Sequence, residues 1–154
     1  MNAQELHDAI FADPTAAQLA DAGNDLGCAS RMVAILPPIP RPGSMLGEQG
    51  LFGVLTVEEA EVFLQTVESL SISPLPEHAV FKRVLRWLQS DLGMEFGNAT
   101  VHAMLHAMQG VGPGKISQAT VDKLIAFSSQ PQTVSPAQVS EAWSRYRPGG
   151  IISG

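Results

Sequence analysis

The sequence predicts an all-α protein, and three observations carry that reading. No stretch alternates apolar and polar residues for long enough to form a strand, the β-branched residues fall mostly on helical stripes, and helix-capping signatures recur along the chain. The expected architecture is a compact bundle of about six to eight short helices with a proline-rich linker after the N-terminal ones. A chain of 154 residues, 45% hydrophobic, is long enough to bury a core without disulfides or a metal, and 16% charged residues is too few for a solvating disordered chain. The 14 glycines and 11 prolines keep each element short.

The elements follow in order. Asn2 with Glu5 is a reciprocal N-terminal cap, and Leu6 and Ile10 give a short apolar stripe ending near Ala12. Asp13-Pro14 restarts the chain, because Asp caps free N–H groups and Pro at the first helical position loses no hydrogen bond; Gly23 stops this helix. Asn24 or Asp25 caps a third segment through about Leu36, with Leu26, Val33 and Leu36 expected on one face and Gly27 weakening it. Pro37-Pro38-Ile39-Pro40-Arg41-Pro42-Gly43 cannot continue a helix, since four prolines lack donors and bias their predecessors toward extended backbone. It reads as a strap lying on the body rather than a ligand for a proline-reading module, because its flanks carry no basic specificity residue.

Beyond the strap, Ser44 is expected to cap a short turn through Phe52. Thr56-Val57-Glu58-Glu59 is a capping box opening a helix with Ala60, Phe63, Leu64, Val67 and Leu70 on its buried stripe. Pro76 is expected to begin the next helix, burying Val80, Phe81, Val84, Leu85 and Leu88 and projecting Lys82, Arg83 and Arg86. Asn98 opens a helix carrying Val101, Met104, Leu105 and Met108, closed by Gly110. Ile116 and Val121 staple a Ser117 cap, and Val134 and Val139 staple Ser135 in the same way; the last helix buries Val139, Ala142, Trp143 and Tyr146. The expected organisation is an N-terminal helical segment (1–36), a linker (37–43), a helical body (44–147) and a tail (148–154).

Charge is unevenly placed. Residues 1–77 hold eleven acidic and two basic side chains, a balance of −9, and residues 78–154 hold four and seven, a balance of +3, within a total of −6. Such asymmetry either draws copies together head to tail or stitches the monomer. The acidic total argues against a reader of nucleic-acid backbone, although Lys82, Arg83, Arg86, Lys115, Lys123, Arg145 and Arg147 form its basic share. No apolar run approaches the roughly 18 to 20 residues of a membrane helix, and the first residues lack a basic signal start, so the chain reads as soluble and unsecreted.

Catalytic motifs are sparse. His102 and His106 stand four apart on an expected helix, but Ala103 occupies the place of a hydrolytic glutamate, and a third ligand could only be guessed at Glu95 or Asp91. They read as surface or interface histidines. Cys28, the single cysteine, reads as a small packing residue, with His7 its only nearby histidine in sequence. There is no nucleophile elbow, phosphate loop or dinucleotide fingerprint, so an enzyme is not expected, nor any cofactor. Ile39, Met45, Phe52, Ile151 and Ile152 fall in the strap, the short turn and the tail, where they either cover the core or meet a partner.

Ala12-Asp13-Pro14-Thr15-Ala16-Ala17, Ala22-Gly23-Asn24-Asp25 and the ending Val139 to Pro148 resemble small helical virion-associated proteins of tailed bacteriophages. The likeness spans much of the chain and brings no catalytic residues with it. It implies a virion or assembly component, made in the host cytoplasm, that contacts other virion proteins and copies of itself. The expected contact residues are Ile39, Arg41, Met45, Phe52, Lys82, Arg83, Arg86, Arg145, Arg147, Ile151 and Ile152.

Overall fold

Side-chain caps start most helices where the sequence places them. In the computed structural model, which describes residues 1–145, the helices are α1 (Ala3–Ala12), α2 (Pro14–Asp21), α3 (Asp25–Ile35), α4 (Glu48–Val54), α5 (Val57–Ser71), α6 (Phe81–Gln89), α7 (Ala99–Met108), α8 (Gln118–Phe127) and α9 (Pro136–Arg145). Two-residue strands, β1 (Ile39–Pro40), β2 (Met45–Leu46), β3 (Met94–Glu95) and β4 (Ser129–Gln130), pair antiparallel as β1 with β4 and β2 with β3. The class is all-α. Nine helices among the described residues exceed the six to eight expected.

The chain divides into two units, one of Met1–Pro38 with the segment from Pro131 onward, the other of Ile39–Gln130. The expected boundary at the prolines is therefore one of two crossings. The last helix, which the sequence reading attached to the body, packs instead on α1 and α3, because Val139, Ala142 and Trp143 bury with Leu6, Ile10, Cys28, Ala29 and Met32. Trp143 donates its ring N–H to Asp21 at 2.9 Å and lies 5.3 Å from the His7 ring. Six acidic and three basic side chains fall in the first unit, nine and six in the second, so each carries −3; the asymmetry of the sequence halves does not divide the units.

In the first unit, the Asn2 and Glu5 side chains each accept the other's backbone N–H at 2.8 Å. Asp13 caps α2 and also receives two hydrogen bonds from Arg31, at 2.9 and 3.1 Å. The Arg31 guanidinium, and then the Ala16 N–H, hold the Asp13 carboxyl below its ordinary range. The face expected for α3 is corrected: Leu26 and Val33 are exposed, and Cys28, Ala29 and Met32 are buried. Cys28 and Ala29 share this face with Met32 because α3 lies close against α2, whose buried positions are Ala16 and Ala20.

In the second unit, α5 carries the core with Phe63, Leu64 and Val67, packed principally on α6. Ser44 caps nothing. It is buried, its hydroxyl donates to the Arg41 carbonyl at 2.5 Å, and Gly47 opens α4 instead. Pro76 starts a 3-10 turn, Pro76–His78, and α6 begins only at Phe81, which leaves Val80 exposed rather than in the core.

Glu59 joins two parts of this unit. One carboxylate oxygen accepts from the Thr56 N–H at 2.9 Å and from Lys123 on α8 at 2.6 Å. Lys123, and then the Thr56 N–H, lower its pKa from 4.5 to about 2. A carboxylate held low in the folded state stabilises above its ordinary pKa and loses that contribution as the pH falls toward the folded value. Acid denaturation between about 4.5 and 2 is therefore expected to flatten in Glu59→Gln. At neutral pH the variant should lose about 1 kcal/mol in urea unfolding, the pair being partly solvent-screened.

Candidate functional site

The strap is held by the second unit. Arg41 donates its backbone N–H to Ser128 at 2.8 Å and its guanidinium to the Phe127 carbonyl at 2.6 Å, while the guanidinium carbon lies 5.3 Å from the centre of the Phe127 ring. Arg41 is thus engaged within its own unit. Glu95 completes the clasp by accepting the N–H groups of Gly43, Ser44 and Gly97 at 3.0, 3.2 and 2.8 Å. Gly97 is required here, since a Cβ would stand 1.7 Å from the Arg41 carbonyl oxygen.

His102 and Ser128 lie at the distance of a base and a nucleophile, 2.8 Å between Nε2 and Oγ. The arrangement is structural, because Ser128 is fully buried and its single proton goes to the Leu124 carbonyl at 2.6 Å. His102 therefore donates from Nε2, the remaining way to complete the bond. No group of three or more His, Cys, Asp or Glu side chains placed to hold a metal occurs among the described residues. Cys28 is buried in the first unit, and desolvation, then the charges of Asp25 and Asp13, push its thiol up, away from the thiolate that a nucleophile needs.

The second unit also presents an apolar groove of about 530 Å³ between α6 and α7. Val84 and Met94 form its buried floor, with Val80 at the N-cap of α6, Trp87 along that helix, and Val101 and Met104 along α7. Met45, from β2, stands at one edge. Positions 80, 84 and 87 repeat with helical spacing, so one ridge of α6 faces the groove and a neighbouring one faces the core. From the sequence, Val80 and Val84 are expected on the buried face and Trp87 is given no place; Met104 is partly buried against the core, while the structure leaves Val80 and Trp87 as an open apolar surface. Its signal was present: α6 carries more apolar positions than one packed face uses.

Among the expected contact residues, Ile39, Met45 and Phe52 are partly exposed, and Lys82, Arg83 and Arg86 stand on the outer side of α6 without ion pairs among the described residues. Arg145 reaches Glu141 at 3.6 Å. Arg147, Ile151 and Ile152, with Tyr146 and the tail, lie outside the described residues. No helix among the described residues is long and apolar enough to cross a membrane. Comparison with models of known protein families, with curated proteins and with solved structures finds no match to this chain.

Proposed function

We propose that this chain is a non-enzymatic structural or assembly component of a tailed-bacteriophage virion, acting through repeated contacts with other virion proteins and with copies of itself. The observation that supports it best is the apolar surface left outside both cores. Leu26 is 69% exposed in the first unit, and Ile72 and Leu92 are 83% and 81% exposed in the second. Exposed apolar side chains favour association when a partner covers them, while the ordering cost of each contact makes repetition by symmetry effective. The clasped strap contributes a rigid edge bearing Ile39 and Met45, and residues 148–154 contribute Ile151 and Ile152. Burial of each tail isoleucine is worth about 1.5 to 3 kcal/mol before that cost.

Sedimentation of the purified protein, alone and with candidate virion proteins, tests the reading. The expected result is a large symmetric assembly formed or joined by this chain, and a weaker one after deletion of residues 148–154. A species that stays monomeric or dimeric and joins no assembly overturns the proposal and favours a small intracellular adaptor.

A further inference from the structure

The groove on the second unit has the form of a missing helix. α6 packs principally on α5 and α7 on α8, so the two helices that wall the groove are each supported from behind and separated in front. Val80, Val84 and Trp87 form one ridge, with spacings of four and three, and Val101 and Met104 form the facing one. Val80 and Trp87 are each 44% exposed above the buried Val84 and Met94, which leaves walls for incoming side chains to grip and a floor for them to reach. Two apolar helix faces with a gap between them can take the row of apolar side chains of a third helix. The methionine on the α7 wall and the one beneath adapt to different anchor shapes.

Charge selects the occupant. Arg83 is three residues from Val80 and four from Trp87, which puts it beside both on the helix surface and hence on the rim; Lys82 and Arg86 lie further round the same helix. None of the three has an ion pair among the described residues. Glu95, the acidic residue lining the groove, already accepts three backbone N–H groups. Arg83 is therefore the uncommitted charge beside the groove, in a unit that is acidic as a whole. The chain's own segment beyond Arg145 is a poor match, because it holds Arg147 and no acidic residue.

We propose that this groove docks an amphipathic helix of a partner protein, its apolar side chains entering between α6 and α7 and its acidic residues facing Arg83. The inference rests on the protein-contact reading given above and names the chemistry of one such partner.

The test uses the full chain and a fluorescent synthetic peptide of about four helical turns, with leucines at helical spacing and glutamates on the flanks. A second peptide carries lysines in place of the glutamates. The glutamate peptide is expected to bind more tightly, and Trp87→Asp to weaken it by about 30-fold or more, as for a central anchor. Arg83→Glu should weaken the glutamate peptide about 2- to 5-fold and strengthen the lysine peptide by a similar factor, the size expected of a solvent-exposed pair, while Arg83→Lys keeps the original preference. Circular dichroism and thermal midpoints of these surface variants report folding separately.

Binding of neither peptide, equal binding of both, displacement of the glutamate peptide by dodecanoate with no charge preference, or self-association that Trp87→Asp abolishes would each overturn the proposal. Formation of the virion assembly by a chain that binds neither peptide would remove the groove assignment and leave the assembly reading standing. Charge-selective peptide binding by a chain that joins no assembly would do the reverse.

Discussion

Replacing Trp143 with alanine is expected to destabilise the first unit by about 3 to 5 kcal/mol, the range for truncating a large buried aromatic side chain. Trp143 is 5% exposed, lies among Leu6, Ile10, Met32, Val139 and Ala142, and donates to Asp21. Its loss opens a cavity where three helices meet, and small neighbours such as Ala16, Ala20 and Ala29 cannot swing in to fill it. Urea unfolding measures the cost, and hydrogen exchange should show protection falling in α1, α3 and α9. Trp143→Phe retains most of the packing and removes the N–H donor, so it should cost about 1 kcal/mol. If both variants lose the same small amount, Trp143 does not anchor the unit.

Gly97→Ala is the second large expected effect, about 3 kcal/mol, and its cause is backbone overlap rather than lost packing. The added Cβ would meet the Arg41 carbonyl oxygen at 1.7 Å, and that carbonyl cannot retreat without giving up the Ser44 hydroxyl. The strap must lift instead, which exposes the amides of Arg41 and Phe96 that bond to Ser128 and Ser44. Their faster hydrogen exchange, with a lower thermal midpoint, is the expected result. Gly53→Ala on α4 is the matched control: a Cβ there has nothing within 4 Å, so stability should hold or rise by up to about 1 kcal/mol.

The parts of the fold legible in the sequence are those governed by neighbours a few residues apart. Asn2 with Glu5, Thr56 with Glu59, and Ser135 with Gln138 each satisfy backbone N–H groups three residues away, and the sequence carries both partners. The Phe63, Leu64 and Val67 stripe was readable because large residues mark one side of α5 only. On α3 large residues mark the outer side, and close helix approach favoured Cys28 and Ala29 inside, an outcome set by α2 rather than by α3 itself. The strap's partner in β4 and the packing of α9 on α1 depend on residues about ninety or more positions away, which periodicity does not encode. The groove was hidden for a related reason: Val80 and Val84 share a stripe in the sequence, but α6 begins only at Phe81 and leaves Val80 exposed at its N-cap.

The first unit is built from two segments that flank the second unit's in sequence, so its core needs both to be present. Residues 39–130 hold a core of their own that closes without α9. Without Val139 and Trp143, Leu6, Ile10 and Met32 lack their covering helix, so helices early in the sequence are sealed only by a late one. A chain truncated before Pro136 would carry a finished middle and a sticky N-terminal part, a species that a chaperone would recognise and the full chain would not resemble.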